Sequence, residues 1–398
     1  MVEPPSSTPA EGVAGRNARW YLAGLAASLL GNSAMSLVSG VWVKQLTGSS
    51  SQAGLVSAAV YAPTLVAPVA GLIADRVPRR RWLLVVNVAS AATMLPLLAV
   101  GSSETAWIVF AVMFVYGIEA TLINPAEDAL FAQLFSAEFR RRINGWRLAI
   151  QETGRLAAPL LGAGLFLLLG GGAVAVLDAA TFVFAAFVLT RLRIDEQPRP
   201  ETGSAERLHL ALVAGAHHIF MTPAIRRVAI AATAVMALSG VGVAAQYSLV
   251  AGLGQPPAFL GVLTATLGAG SVVAALTSGR IITRFGERSV AVIGLLDFAA
   301  GNLLRTVPWL PTAVFGSLVL GFALPYVFLA ILNVAQRCTP NELQGRVSAA
   351  LMLALFGPQA PTQAFGSLLI THATYAEIYT ASAAIGLMIA LWLTRARA

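Results

Sequence analysis

Long apolar segments recur along the whole chain and constrain its fold more than any other feature. Each is about 20 residues long, the length that a helix needs to cross the hydrocarbon core of a bilayer. Charged residues or clusters of Gly and Pro separate them, so that twelve segments can be placed, at residues 20–43, 53–74, 82–100, 106–131, 145–168, 173–190, 227–250, 258–282, 289–306, 311–333, 346–370 and 375–394. The pattern predicts an all-α membrane protein with twelve transmembrane helices.

The composition fits a chain that is surrounded by lipid. Apolar residues make up 57% of the sequence and charged residues 11%, whereas soluble domains carry about 25% charged residues. The net charge is +8, but no polar stretch is long enough to form the basic face that nucleic acid requires. One cysteine, Cys338, and four histidines provide neither a disulfide nor a zinc set of the usual spacing. We expect no metal, no cofactor and no nucleic-acid partner.

The arginines give the chain an orientation. Of the 26 basic residues, 23 fall in gaps that lie on the same side of the membrane as both termini. Only Lys44 and Arg305 fall on the other side, and Arg155 falls within a segment. Because basic residues concentrate in cytoplasmic loops, we expect a multi-pass protein of a bacterial inner (cell) membrane with both termini in the cytoplasm. The near absence of lysine suggests a GC-rich bacterial genome.

Four regions follow from the segment pattern. Residues 1–19 are rich in Pro and Ser and are expected to form a disordered tail. Residues 20–190 and 227–398 each hold six segments, and residues 191–226 form a cytoplasmic linker with a short amphipathic helix near Leu208–Phe220, whose His217 and His218 are expected to face the lipid headgroups. The two halves are repeats, since Gly71 and Gly279 begin similar loops at nearly the same offset, and repeated halves are a common transporter design.

The loop after the second segment carries the most specific motif. Its sequence, GLIADRVPRR from Gly71 to Arg80, resembles the signature between helices two and three of major facilitator superfamily transporters, with Pro78 in place of the usual glycine. The resemblance implies a conformational latch in which Asp75 pairs with guanidinium groups or with a helix N-terminus of the opposite bundle. The latch residues are Gly71, Asp75, Arg76, Arg79 and Arg80. The second copy is degenerate, with Thr283 in place of the acid.

The fifth segment carries a second motif. Gly154, Pro159 and Gly162, with Ala158 and Ala163 in place of two glycines, resemble an antiporter motif of the same superfamily. Shorter matches resemble the drug:proton antiporter branch that includes macrolide-efflux proteins and the enterobactin exporter; they lie at Leu46–Ser49, Asn124–Ala126 and Leu177–Phe182. The resemblance implies the major facilitator fold, with two six-helix bundles. The arginine that many drug antiporters carry in the fourth segment is missing, and Glu119 is the polar residue at that depth.

Ionisable residues within the segments are candidates for function, because each is costly in lipid. Glu119 is the first candidate for proton coupling. Glu152 and Arg155 are three residues apart and share a helix face, so they form either a self-satisfied pair or part of a relay in which Arg155 exchanges partners between Glu152 and Glu119. Asp178 is expected to be structural, at the periphery, where it caps a helix or binds Arg155.

In the superfamily, helices one, four, seven and ten line a central cavity. That placement makes a set of polar, aromatic and Met side chains on these helices candidates for substrate binding, and such side chains suit an adaptable pocket. They are Asn32, Met35, Tyr116, Gln246, Tyr247, Tyr326 and Asn333.

The energy source is not ATP, because the single lysine, Lys44, stands outside any phosphate-binding loop. The leading hypothesis is a monomeric secondary active exporter of amphipathic small molecules (drugs, antibiotics or a siderophore) that works by proton antiport and alternating access. An importer or facilitator of a polar metabolite is an alternative within transporters. A lipid-modifying enzyme is disfavoured by the lack of hydrolase motifs, and a transport-dead sensor by the latch motif.

Overall fold

The computed structural model describes residues 9–66, 78–193 and 205–395, and its regular structure is helical throughout these ranges. Short 3₁₀ turns occupy Ala62–Val66, Leu95–Ala99, Ser103–Thr105, Pro257–Phe259 and Asn341–Leu343. The α-helices are α1 (Pro9–Thr47), α2 (Ser50–Tyr61), α3 (Arg79–Thr93), α4 (Trp107–Leu134), α5 (Ala137–Arg191), α6 (Ala205–Met221), α7 (Pro223–Gly252), α8 (Leu260–Leu304), α9 (Leu310–Cys338), α10 (Gln344–Phe356), α11 (Gln359–Leu369) and α12 (Tyr375–Arg395).

Two of these helices are each a pair of membrane crossings. α5 has 55 residues and α8 has 45, far more than the roughly 20 that cross a bilayer. Each is broken at a glycine with positive φ, Gly170 (φ 80°, ψ 178°) and Gly286 (φ 77°, ψ 160°), a conformation that side chains other than glycine resist. The breaks fall at the predicted gaps between segments.

The described residues contain most of the predicted crossings. Eight helices are long and apolar enough to span a membrane, and α5 and α8 are each long enough for two crossings. α2 covers the start of the second predicted segment, 53–74, whose residues 67–74 lie outside the described ranges, and the pair α10–α11 covers the eleventh. The last of these differs from the prediction of one continuous helix over 346–370, because the chain breaks at Gly357 and Pro358. Proline lacks the N–H that a continuing helix needs.

The two halves repeat one particular anchor. Arg80 at the start of α3 donates to the carbonyls of Leu189 and Thr190 at the end of α5, over 2.7 and 2.9 Å. Arg288 donates in the same way to the carbonyls of Leu393 and Thr394 at the end of α12. Helix C-termini carry unpaired carbonyls and a partial negative charge, so each arginine fastens a helix end to its own half.

Among the described residues, the halves share a buried core at one end. We call the end that carries the start of α1 and the end of α12 the arginine-rich end, and the other the opposite end. At the opposite end one continuous core joins both halves, with Val41 and Val43 of α1 and Leu249 of α7 all fully buried. At the arginine-rich end the cores formed by described residues are separate, one around Phe131 of α4 and one around Leu351 of α10. Within the described ranges, the space between the halves therefore opens toward the arginine-rich end.

The N-terminal region differs from the expected tail. α1 begins at Pro9, so residues 9–19 are helical, and residues 1–8 lie outside the described ranges. Asn17 explains the added order, since its side chain exchanges two hydrogen bonds with the backbone of Arg193 at the end of α5, over 2.8 and 3.1 Å. Residues 9–19, which were expected to belong to the disordered tail, are thus part of α1.

The amphipathic helix of the linker is present as α6 (Ala205–Met221). It packs against the second half: Gly215 lies so close to the Arg346 carbonyl that a Cβ would overlap it. The His218 ring nitrogen Nε2 lies 3.2 Å from the carbonyl oxygen of Cys338. His218 therefore contacts protein backbone where headgroup contact was expected, while His217 is exposed.

Candidate functional site

Glycines allow the two halves to meet at the opposite end. A Cβ on Gly40 of α1 would overlap the Tyr247 hydroxyl of α7. A Cβ on Gly54 of α2 would overlap the Ser367 hydroxyl of α11. Even one added methyl group at these points would have to push the halves apart, since packed interiors leave no spare volume.

A second contact between the halves joins α5 to α8. A Cβ on Gly261 would lie 2.9 Å from the Pro159 carbonyl oxygen, and one on Gly268 would lie 3.0 Å from the Arg155 carbonyl oxygen. Small residues let membrane helices approach through their backbones in this way. We call these four residues the glycine seam.

The antiporter-like motif lies at the junction of three helices. Pro159 faces α8 within the glycine seam. Gly162 lies against α1, where a Cβ added to it would be 2.8 Å from the Ala34 Cα. Gly154 also faces α1, at Leu29. Ala158, which replaces a glycine of the motif, is fully buried. The motif therefore packs α5 against both its own half and the other half.

A charged group stands between the halves next to the seam. Arg155 Nη1 lies 3.4 Å from Glu152 Oε1 on the same helix and 3.4 Å from Ser271 Oγ on α8. The Arg155 side chain is 60% exposed, although it belongs to a membrane crossing. Because ionisable residues within membrane crossings mostly face the bundle interior or a water-filled cavity, Arg155 is a candidate for lining a polar cavity between the halves. The predicted contact between Glu152 and Arg155 is present, and its role stays a prediction.

Glu119 lies elsewhere. It is 6% exposed, its Oε1 accepts a hydrogen bond from the Thr93 hydroxyl of α3 over 2.8 Å, and its Oε2 is buried without a partner among the described residues. It thus faces the interior of the first half, whereas Arg155 contacts Glu152 and Ser271. The exchange of Arg155 between Glu152 and Glu119 stays a prediction.

Asp178 is wholly buried between α5 and α1. It is 0% exposed, the Thr181 hydroxyl lies 3.4 Å from its Oδ1, and its Oδ2 has no described partner. A Cβ on Gly31 of α1 would overlap Asp178 Oδ1. Asp178 is therefore inside the first half and not at its periphery as expected, and its described contacts do not include Arg155.

Tyr116 completes this group. It is 5% exposed, its ring centroid lies 6.0 Å from that of Phe182 on α5, and its hydroxyl is buried without a described partner. Tyr116 lies three residues before Glu119 on α4, and its ring partner Phe182 lies four residues after Asp178 on α5, so the three side chains belong to one region of the interior of the first half. We call Tyr116, Glu119 and Asp178 the buried acid pocket. It holds oxygen atoms from three side chains and no described cation.

The remaining substrate candidates are dispersed. Met35 is fully buried, and Asn32 is half-buried with its Oδ1 lacking a described partner. Tyr247 contacts α1 at Gly40, and Gln246 is half-buried. Tyr326 is bonded at 3.0 Å to the Thr277 hydroxyl of α8, and the Asn333 amide donates to the Leu329 carbonyl in its own helix. Tyr326 and Asn333 therefore make their described polar contacts within the second half.

The latch is described only in part. Gly71, Asp75 and Arg76 lie outside the described residues. Arg79 Nη1 donates to the Ala129 carbonyl of α4 over 2.8 Å, and Arg80 anchors the end of α5. These described contacts stay within the first half, while the partner of Asp75 stays a prediction.

No three His, Cys, Asp or Glu side chains come together as a metal site would need, within residues 9–66, 78–193 and 205–395. A charged cavity and a buried acid pocket in a bundle of paired halves are features of a membrane transporter. The family model for the Major Facilitator Superfamily matches residues 20–244. The chain belongs to the Major Facilitator Superfamily. The predicted fold is therefore confirmed, and membership of this superfamily makes the chain a transport protein and not an enzyme.

Relatives in the Major Facilitator Superfamily agree with this assignment. The uncharacterized MFS-type transporter YfiS of Bacillus subtilis (strain 168) is 23% identical over 332 residues, which cover 78% of this chain and 76% of that protein. The multidrug resistance protein MdtG of Dickeya zeae (strain Ech586) is 24% identical over 152 residues, covering 37% and 36%. The crystal structure of the nucleoside transporter NupG has the same fold, with a TM-score of 0.78 at 12% identity over 95% of this chain and 98% of that chain.

Sequence reasoning missed several residues of this Major Facilitator Superfamily site. Ser271, which meets Arg155, and Thr93, which binds Glu119, are ordinary hydroxyls in apolar segments and carry no motif. Gly261 and Gly268 did carry a signal, because their spacing of seven residues places two glycines on one helix face.

Proposed function

We propose that this Major Facilitator Superfamily protein exports amphipathic small molecules from a bacterial cell in exchange for protons. The arginine-rich end faces the cytoplasm in this proposal, because basic loops stay inside. The observation that carries the proposal is the buried acid pocket. Glu119 and Asp178 are both nearly inaccessible to water and have no described basic partner.

Physical chemistry favours a proton in that pocket. Two neighbouring carboxylates that are both removed from water repel each other and lose their hydration. One shared proton relieves the repulsion, and the Tyr116 hydroxyl, buried without a described partner, is able to hydrogen-bond to the remaining charge. A group that holds its proton in one conformation and releases it in another couples transport to a gradient.

Alternating access is the second part of the proposal. With the halves joined at the opposite end, the cavity beside Arg155 is open to the cytoplasm. Release to the outside requires the contacts at Gly40, Gly54 and the glycine seam to part. At each contact one side is a glycine without a side chain, so each is suited to opening and closing. The cytoplasmic loop with Asp75 would then close the other end, which is the latch role that the motif implies.

The cargo is proposed from the cavity and from one relative. Arg155, Glu152 and Ser271 offer both charges and a hydroxyl, while most other residues of the surrounding helices are apolar, and a mixed surface of this kind suits amphipathic molecules. MdtG, which matches 37% of this chain, is named a multidrug resistance protein. We therefore propose drugs or antibiotics as cargo; a siderophore is a second cargo to include in the assay.

Inside-out vesicles test the proposal directly. When their interior is acidified, they should accumulate a fluorescent cationic dye, because protons leave as cargo enters. Glu119→Gln should lower this accumulation by about tenfold or more, because glutamine cannot bind and release the proton that is exchanged for cargo. Glu104→Gln is the matched control, since Glu104 is exposed at the opposite end.

The same assay defines what would overturn the proposal. Accumulation that ignores the pH gradient, or that follows a sodium gradient in its place, would exclude proton antiport. Uptake only into right-side-out vesicles would identify an importer, the alternative direction. Asp75→Asn should reduce transport in either direction, which separates the latch from the coupling ion.

A further inference from the structure

Arg305 is a buried cation at the opposite end of the second half. It follows the last residue of α8 and is 3% exposed, and its Nε is buried without a hydrogen-bond partner among the described residues. None of the ion pairs found in the described ranges includes it. Lys44, the other basic residue at this end, is satisfied by the Gly48 carbonyl and the Ser50 hydroxyl. Arg305 therefore needs a separate explanation.

The surroundings of Arg305 offer hydrogen-bond donors. Its Cζ lies 4.7 Å from the ring centroid of Tyr379 on α12. Tyr379 is 1% exposed, its hydroxyl has no described partner, and the charge of Arg305 acts on that hydroxyl. Gly316 of α9 lies against the Arg305 side chain, at 3.0 Å from its would-be Cβ to Arg305 Cγ. A guanidinium and a phenol thus share one buried site between α8, α9 and α12.

Two partial interactions already favour the cation. The carbonyls at the end of α8 carry partial negative charge, and the face of the Tyr379 ring attracts a cation. Neither accepts a hydrogen bond from Nε in this structure. A buried charge without a hydrogen-bonded counterion is costly, and a group with five N–H donors and no acceptor requires an anion or a carbonyl.

We propose that Arg305 and the Tyr379 hydroxyl bind a small inorganic anion, such as chloride, at the outer end of the second half. The guanidinium lies over the Tyr379 ring, so its N–H groups and the phenol O–H belong to one buried contact, and donors of this kind select an acceptor with negative charge. The small exposed fraction of Arg305 favours a single ion over a lipid phosphate, which would need an opening for its headgroup. The ion neutralises Arg305 and holds α8 and α12 together.

Thermal unfolding of the purified full-length protein tests this site without any transport assay. In detergent at constant ionic strength, the Tm should rise as chloride replaces gluconate, and bromide should act like chloride because it is only slightly larger. The midpoint of the rise gives an apparent chloride affinity. An unchanged Tm across the series would overturn the proposal.

Variants assign the effect to this site. Tyr379→Phe keeps the ring beneath the guanidinium and removes the hydroxyl, so it should weaken chloride affinity by about tenfold or more, the value of one hydrogen bond to a charged acceptor. Arg305→Gln should abolish the chloride response. Arg284→Gln, at an exposed arginine of the arginine-rich end, should keep it in full. If Arg305→Gln keeps the response, or if Arg305→Gln does not fold and Tyr379→Phe retains wild-type affinity, the assignment is wrong.

Discussion

The first and second halves of this transporter use the same framework but bury opposite charges. Arg80 and Arg288 anchor equivalent helix ends, and the loops that contain them are copies of one sequence. In the first half, however, two acids lie in the buried acid pocket; in the second half, a buried arginine lies beside Tyr379. The framework was thus kept after duplication, whereas the charged interior of each half became different.

The turn of the duplicated loop shows the same divergence. Gly286 has a φ of 77°, which allows α8 to turn back between its two crossings. Pro78 occupies the equivalent position before α3, with a φ of −52°. The acid of the first copy, Asp75, is Thr283 in the second. The glycine of the turn is therefore present in the second copy, and the acid of the predicted latch is present in the first.

The largest expected effect concerns the two acids of the first half. If Glu119 and Asp178 share one proton, Asp178→Asn should lower pH-driven uptake by about tenfold or more, and adding Glu119→Gln should lower it little further, because groups that act as a unit are not additive. Asp297→Asn, in a membrane crossing of the second half, should lower pH-driven uptake by less than about twofold. Vesicle uptake measures all three. If the reduction in the double variant equals the product of the two single reductions, the acids act independently.

A smaller effect concerns the glycine next to that pocket. Gly31→Ala should lower stability by about 1–3 kcal/mol, because the new methyl group overlaps Asp178 and Thr181. Gly15→Ala is the matched control on the same helix; it has no neighbour within 4 Å and should be neutral or slightly stabilising. Thermal unfolding in detergent compares them. Equal melting temperatures for the two variants would contradict the tight contact between α1 and α5.

The repeated anchors should respond alike. Arg80→Gln and Arg288→Gln should each lower stability by about 1–2 kcal/mol, since each removes charge-assisted hydrogen bonds to helix C-terminal carbonyls. Their melting temperatures should agree closely. A large loss for one and none for the other would mean that the two copies are not equivalent.

The smallest expected effect is at the other basic residue of the opposite end. Lys44→Gln should lower stability by about 0.5 kcal/mol, because its hydrogen bonds to Gly48 and Ser50 are partly exposed. Chloride should stabilise this variant as much as the wild type. A lost chloride response would move the proposed anion site from Arg305 to the turn after α1.

Hydropathy predicted the membrane crossings and the breaks near Gly170 and Gly286, and the motif from Gly71 to Arg80 predicted the superfamily. These features depend on burial in lipid and on local backbone freedom, which the chain encodes locally. Pro358 also favours a break in the helix. It lies within a long apolar run, however, and that run led to the prediction of one continuous helix over 346–370. The early start of α1 depends on Asn17 meeting Arg193, a contact between distant residues that no local pattern reveals.

The rotation of each helix was harder to predict. Tyr116 and Glu119 were assigned to a central cavity because of their helix, yet they face Phe182 and Thr93 within the first half. Asp178 was assigned to the periphery and is the most deeply buried acid. In a helix that is apolar on all sides, hydropathy does not specify which face meets a neighbour. The tertiary packing specifies it.

The glycine seam has a consequence for how such a protein diversifies. Its contacts join main-chain atoms of Gly261 and Gly268 to carbonyls of α5, so they do not depend on the identity of the side chains that face the cargo. In the proposed mechanism, substitutions around Ser271 and Glu152 would alter which cargo is recognised without altering the surface on which the halves move. Such a protein would then acquire a new cargo without a change in its mechanism of movement.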